Sequence, residues 1–170
     1  MVIVGIDPGL TGALAFIGPN SVAVADIPTV ALTTGGMVKR RVDGLGLAYL
    51  IRKHCPAGEP VLVVCEAVQA MGGKDNAMQT QAALVGCLRA IEAVLDVLRL
   101  KAHMVRPQEW QGLYGLQGKR KEVRERGQHP EALVKARTLY PGAAHDLARV
   151  KDHNRGEALL VAHFGKVRLA

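Results

Sequence analysis

The chain opens on an apolar run, MVIVGID (residues 1–7), rich in β-branched residues and closed by Asp7. PGLTG then turns the chain, and ALAFIG and SVAVADI follow as two further apolar stretches separated by Pro19-Asn20. Short apolar runs bounded by Gly, Pro and Asn predict strands, here three in a meander. A Gly-rich loop carrying Lys39, Arg40 and Arg41 leads to a helix that begins near Asp43, a residue suited to the N-cap. PVLVVCE, ending at Glu66, is apolar throughout, as a strand buried on both faces should be. From about Asn76 to Arg99 the period changes. Leu84, Leu88, Ile91, Leu95 and Leu98 recur at spacings of 4, 3, 4 and 3, which is one helix face. That stripe is most simply core, because a helix beside a sheet buries one side. AHMV is a short fifth strand ahead of Arg106-Pro107. GLYGLQGKRKEVRERGQ reads as a polar, basic loop, PEALVKARTLYP as a helix between prolines, and a last helix covers roughly residues 155–165.

The order βββαβαβ, then a basic loop and helices, predicts an α/β fold. Its sheet is mixed and five-stranded, a three-stranded antiparallel meander joined to parallel strands and flanked by helices. A length of 170 residues is expected to form a single domain over residues 1–170, with a core that needs no disulfide or metal staple. With 49% apolar residues, the composition argues against disorder. No apolar run approaches the ~18 residues a membrane span requires. The first Lys, Arg or His is Lys39, so the positive start of a secretory signal is absent and a cytoplasmic location is expected. Cys55, Cys65 and Cys87 are odd in number and set among apolar residues, with no C-x-x-C pair. They read as reduced, buried thiols rather than zinc ligands.

Charge adds a direction. The formal net charge is +7, but its distribution says more. Residues 1–38 hold Asp7 and Asp26 and no Lys or Arg, whereas residues 101–137 hold nine Lys or Arg against four Glu, a net of +5. This is either a solvated basic surface or a face for a polyanion such as DNA, whose phosphates release counterions when Lys and Arg neutralise them.

The acidic residues sharpen the choice. Asp7 ends the first predicted strand and Glu66 the fourth, and the carboxyl ends of strands are where sites assemble in open α/β sheets. Adjacent parallel strands would set the two side by side, with Glu157 supplied from the last helix. Each residue also has an ordinary structural role. Asp7 before Pro8-Gly9 suits a turn, Glu66 suits an exposed strand end, and Glu157 three residues after Asn154 has capping-box spacing. Together they are harder to explain that way. Two carboxylates about 4 Å apart repel by about 4 kcal/mol at an effective dielectric of 20. Hard divalent cations relieve such clusters by taking oxygen ligands. A pair of such ions can activate water and stabilise the leaving oxygen of a phosphodiester.

At this point the residues resemble a known family. G-I-D-P-G-L-T-G at 5–12, V-L-V-V-C-E ending in Glu66 and D-H-N-R-G-E-A-L-L-V-A at 152–162 are similar, in that order, to the motifs of RuvC-type Holliday-junction resolvases. V-R-P-Q-E-W at 105–110 resembles the phage-encoded branch. The resemblance spans nearly the whole chain. It implies a ribonuclease H-like fold, a homodimer, and paired symmetric nicking of four-way DNA with Mg²⁺ or Mn²⁺, two ions per active site. It implies no small-molecule cofactor, no membrane, and the cytoplasm of a bacterial or phage-infected cell. Carried over motif by motif, Asp7 and Glu66 match the first two metal ligands and Glu157 the last, although aspartate is more usual at that last position.

The remaining ligand implied by the family, Asp or His a turn earlier, is either Asp152 or His153. At 3.6 residues per turn His153 and Glu157 differ by about 40° around a helix, Asp152 and Glu157 by about 140°. A helix that includes residue 153 therefore favours His153; a helix capped by Asn154 leaves the matter open. A histidine ligand, softer than carboxylate, would favour Mn²⁺ over Mg²⁺.

For DNA contacts the expected residues are Lys119, Arg120, Lys121 and Arg124 in the basic loop, Lys74 on a Gly-flanked loop, and Lys39, Arg40 and Arg41. Trp110, the sole tryptophan, reads as core before it reads as a base-stacking platform. No aromatic follows Glu66 in A-V-Q-A-M-G-G-K, so Gln69 or Met71 would have to serve as the wedge some family members place there. Two rival classes remain: a non-catalytic branched-DNA-binding protein, and a ribonuclease H-like nuclease acting on RNA–DNA hybrids or forks. An actin-like ATPase shares the G-I-D-x-G start, but it duplicates its core and needs more residues than this.

Overall fold

In β1 (Val2–Asp7) successive side chains leave opposite faces of the sheet. Val2, Val4 and Ile6 enter one apolar cluster and Ile3 enters another. The same alternation separates Leu14 and Phe16 from Ala13, Ala15 and Ile17 in β2 (Ala13–Ile17), and Val63 and Cys65 from Val64 in β6 (Val61–Glu66). The sheet thus has a core on each face. A computed structural model of the chain describes residues 1–32, 39–68, 77–117 and 130–170.

The sheet is five-stranded in the order β3-β2-β1-β6-β7, where β3 is Val22–Asp26 and β7 is Ala102–Val105. β1, β2 and β3 pair antiparallel, and β1, β6 and β7 pair parallel. This is the mixed sheet that the sequence predicts. On one face lie α1 (Gly44–His54) and α2 (Ala77–Val97), contributing Leu47, Ile51, Cys87, Ile91 and Leu95 to the core. Asp43 caps α1 as expected, its Oδ1 accepting from the Gly46 amide at 3.1 Å. On the other face lie α3 (Pro107–Tyr114), α4 (Glu131–Leu139) and α5 (His153–Arg168), with α4 joined to α5 through three short 3-10 turns. Among the described residues no helix is long and apolar enough to cross a membrane.

Two elements differ from the sequence reading. Lys39, Arg40 and Arg41 are not in a loop. They form β5 (Lys39–Val42), which pairs antiparallel with β4 (Thr29–Leu32) in a separate two-stranded ribbon. Residues 107–111, unassigned from the sequence, and 112–114, read as the start of the basic loop, form α3, whose start is fixed by Pro107 and by the Glu109 carboxylate accepting from the Arg106 amide and guanidinium. Pro at the first helical position loses no hydrogen bond, which is why so short a helix holds.

α5 is buried along residues 156–162 because it runs between the sheet and α4. Farther along, His163 stacks on Tyr114 at 5.9 Å and meets Tyr140 edge-on at 5.5 Å. Its buried Nδ1 has no hydrogen-bond partner among the described residues. Burial first, then the Lys166 charge, hold the imidazole below the usual histidine range. The unfolded chain therefore binds the proton more readily, so folding stability falls as pH drops through the unfolded value of about 6.5. His163→Phe is expected to flatten urea-derived stability against pH between about 7 and 5. Equal slopes in the two proteins would assign His163 an ordinary titration.

Candidate active site

Gly5 of β1 pairs with Val64 of β6, and Ile6 with Cys65, so the next step brings Asp7 and Glu66 level at the carboxyl ends of adjacent parallel strands. By alternation both leave the face that carries Ile3, Gly5 and Val64, the face covered by α5. Cys65, paired with Ile6 one step before the two acids, lies near both of them. Cys65 is pushed up first by burial, then by the negative charges of Asp7 and Glu66. Cys65 and Cys87 are buried free thiols and Cys55 a half-buried one.

α5 lies directly on β1. A Cβ added to Gly5 would fall on the Ala158 carbonyl oxygen and the Ala162 amide nitrogen, and within 2.7 Å of the Ala162 Cβ. Gly165 makes the same close approach toward Val64. Residue 165 lies near Ile3 and residue 158 near Gly5, so the helix runs antiparallel to β1 and its first turn arrives at the strand's carboxyl end. Asn154 marks that arrival, its Nδ2 donating to the Thr11 carbonyl just past Asp7. It is therefore not the helix cap that its spacing to Glu157 resembles. Glu157 follows one turn later and is only 8% exposed.

Asp152 and His153 separate cleanly here. His153 already has helical dihedrals (φ −56°, ψ −38°) and opens α5, with Asp152 as the N-cap. His153 thus shares the Glu157 side of the helix to within about 40°. Asp152 is 4% exposed and clasped by Arg149, whose Nη2 donates to Oδ1 at 2.7 Å and whose backbone amide donates to Oδ2 at 2.8 Å. Those hydrogen bonds from Arg149, with the charges of Arg149 and Arg155, hold its carboxyl below the usual aspartate range. Arg155 itself is fixed by a two-pronged pair with Asp26 at 2.6 and 2.8 Å, pinning the start of α5 to the end of β3.

One contact was not read from the sequence. Trp110, 1% exposed and part of the core, also donates from Nε1 to Glu66 Oε2 at 2.7 Å. A buried indole N–H left without an acceptor would cost about 1–3 kcal/mol, so the carboxylate serves the fold as well. The signal was the V-R-P-Q-E-W string: a strand end, a cap, a helix-starting proline, and a tryptophan one turn in.

The oxygen donors at this edge fit a hard divalent cation in kind: two strand-end carboxylates on one face, with Glu157 on the helix that covers it. Among the described residues no three His, Cys, Asp or Glu side chains are drawn together as a finished ligand sphere. Of the basic residues expected at DNA, Lys39, Arg40 and Arg41 lie along β5 opposite Leu32, Ala31 and Val30, with Arg40 and Arg41 exposed. Lys74, Lys119, Arg120, Lys121 and Arg124, with the wedge candidates Gln69 and Met71, lie outside the described residues.

The sheet order, its mixed pairing and the helix laid over the strand-end carboxylates define a ribonuclease H-like fold of the RuvC type. Solved structures bear this out. The chain is similar to RuvC of Thermus thermophilus in complex with a Holliday junction substrate, at 13% identity and a TM-score of 0.56, covering 99% of this chain and 96% of that one. It is also similar to a second Thermus thermophilus RuvC structure, at 16% identity and a TM-score of 0.52, covering 98% and 96%. No family model matches the chain, and no curated protein matches it in sequence. Neither structural likeness bears on the phage-encoded branch that V-R-P-Q-E-W resembles.

Proposed function

We propose that this chain is a divalent-metal-dependent endonuclease that resolves four-way DNA junctions by paired symmetric nicks, leaving 5′-phosphate and 3′-hydroxyl ends. The observation that carries the reading is the level placement of Asp7 and Glu66 on the α5-covered face of a RuvC-type sheet. Asp7, Glu66 and Glu157 would hold the metal, with His153 as the fourth ligand in preference to Asp152, whose oxygens are taken up by Arg149. Mg²⁺ or Mn²⁺ bound there supplies an activated water and neutralises charge on the leaving oxygen. The chain itself orients those donors. β1 and β6 fix two carboxylates in register, while the contact of α5 with Gly5 sets the height of Glu157.

The DNA partner is supported by the exposed Arg40 and Arg41 on the β4–β5 ribbon and by the basic segment at 119–126. A homodimer belongs to the same reading, since two opposed nicks require two sites related by a two-fold axis. The Leu84-to-Leu98 stripe is largely occupied by the core. Among the described residues Val85 (44%) and Val97 (77%) of α2 are exposed and would meet the second copy.

The test is cleavage of an end-labelled four-way junction against matched duplex, fork and RNA–DNA hybrid, with Mg²⁺ and with Mn²⁺. Symmetric nicks confined to the junction are expected. Tight junction binding with neither metal supporting cleavage would favour the non-catalytic binder. Preferential cutting of forks or hybrids would keep the chemistry and discard the junction.

The fourth ligand has its own test. Imidazole is softer than carboxylate, so the wild type is expected to cut faster with Mn²⁺ than with Mg²⁺, and His153→Asp to narrow that difference. A metal preference unchanged by the substitution would remove His153 from the ligand set.

A further inference from the structure

Trp110 is the sole tryptophan of the chain and is almost wholly enclosed, yet its one polar atom is spent on Glu66. Sequence and geometry converge to put it there. Val105 ends β7 directly opposite Glu66 in the parallel register, and its carbonyl accepts from the Ala67 amide at 2.7 Å. The chain therefore leaves β7 level with the carboxylate. Arg106 then caps α3, its amide donating to Glu109 Oε2 and its Nη2 to Glu109 Oε1, both at 2.9 Å, and Pro107 fixes the first helical residue. One turn into the helix Trp110 faces the sheet, and the indole reaches back to Oε2 at 2.7 Å. Tyr114, one turn farther, donates to the Leu160 carbonyl of α5 at 3.1 Å, so α3 is tied to the helix that bears Glu157.

We infer that Trp110 is a positioning residue for the metal site, orienting the Glu66 carboxylate through its indole N–H. The inference rests on Glu66 being a metal ligand, as proposed above. A carboxylate on a flexible Glu side chain has about four lone-pair sites, and tryptophan is a donor only. The N–H takes one of those sites and restricts rotation about the last side-chain bond, which orients the carboxylate. A ligand held in this way gives up less freedom on binding an ion. Loss of such outer partners typically lowers metal affinity 10- to 100-fold. Trp110 touches neither DNA nor ion in this scheme and acts only through Glu66.

The decisive variant replaces Trp110 by 3-benzothienylalanine, which keeps the bicyclic shape and removes only the N–H; Trp110→Phe is its encoded counterpart. Mn²⁺ binding to the full chain without DNA, followed by electron paramagnetic resonance, is expected to weaken on the order of 10-fold in the isostere. Thermal stability should fall by no more than the loss of one hydrogen bond explains, and junction affinity should stay at the wild-type value. In a Glu66→Gln background the same replacement should change Mn²⁺ affinity no further, because coupled residues are non-additive. Wild-type Mn²⁺ affinity in the isostere would overturn the role of Trp110 while leaving the metal site intact. Absence of Glu66-dependent Mn²⁺ binding in the wild type would instead overturn the metal-site reading, and this inference with it. A measurement on the wild type alone covers a variant that fails to fold. Terbium, bound in place of Mn²⁺, should emit on excitation of the single indole, and that emission should vanish in Glu66→Gln. Terbium that binds and emits on direct excitation but not through the indole would remove Trp110 from the site.

Discussion

Asp7→Asn is expected to abolish junction cleavage while leaving the junction bound. Loss of an outer partner of a metal ligand typically costs 10- to 100-fold. Loss of a ligand itself should exceed that, so a drop of more than about 100-fold in nicking rate is expected with either metal. The fold should not suffer. Asp7 ends β1, its backbone still pairs with Ala13, and the substitution removes one of two like charges held level with each other. Two charges about 4 Å apart interact by about 4 kcal/mol at an effective dielectric of 20. Solvent at this half-buried edge screens part of that, so metal-free stability should hold or rise slightly. DNA affinity should also hold or rise, because a negative charge has been removed from the surface proposed to meet phosphate. Glu66→Gln should lose cleavage likewise. It would keep the Trp110 contact, since the amide oxygen still accepts from the indole. Cleavage assays run beside gel-shift titrations decide the matter. Wild-type nicking by Asp7→Asn would sink the metal site as drawn.

What could be read from the sequence follows how local each determinant is. β1 and β6 announce themselves because both faces are buried, so every position is apolar until the terminal acid. α2 announces itself through an apolar stripe of helical period from Leu84 to Leu98. The β4–β5 ribbon does not. TVAL and KRRV are four residues each, pair only with one another in their sheet, and bury Val42 in the core. Nothing in KRRV alone distinguishes a strand from a charged loop. α3 is likewise short, contains Gly112, and buries only Trp110 within its span. Its start is set by the Arg106–Glu109 cap, which is visible in the sequence once the strand before it is known to end at Val105.

The same distinction divides the site. Asp7 and Glu66 are strand ends, so their candidacy is local; their being level depends on β1 and β6 pairing in parallel, which requires the crossover through α1. The cap alternative at residue 154 is decided by partners far away in sequence. Asn154 spends its side chain on Thr11 instead of capping, and Arg155 spends its own on Asp26. Arg149, three residues before Asp152, is close in sequence, yet its clasp forms only because the 3-10 turn brings it round. The carboxylates are legible, and their orientation is a product of tertiary contacts.

Gly5→Val is expected to damage the fold as severely as Asp7→Asn damages the chemistry. Valine is among the best strand formers and glycine among the worst, so local preference alone predicts a gain. The opposing term is the helix above. Even a single Cβ at residue 5 would overlap the backbone of Ala158 and Ala162, and backbone cannot swing aside as the end of a side chain can. Overpacking a core typically costs about 1–3 kcal/mol. Here the strain falls on the helix backbone rather than on a rotamer, so about 3 kcal/mol or more is expected, a large share of a typical 5–15 kcal/mol. Gly86→Ala provides the contrast. That glycine lies inside α2 with nothing among the described residues within 4 Å of an added Cβ, so a methyl there should stabilise by about 0.5–1 kcal/mol. Urea unfolding of the three chains tests the pair. Should Gly5→Val match the wild type, α5 does not lie this close to β1, and the height of Glu157 above the sheet must be set by something else. If instead the milder Gly5→Ala folds but nicks slowly, the helix has lifted without the sheet failing. The loss would then locate Glu157, rather than the strand-end carboxylates, as the donor most sensitive to packing.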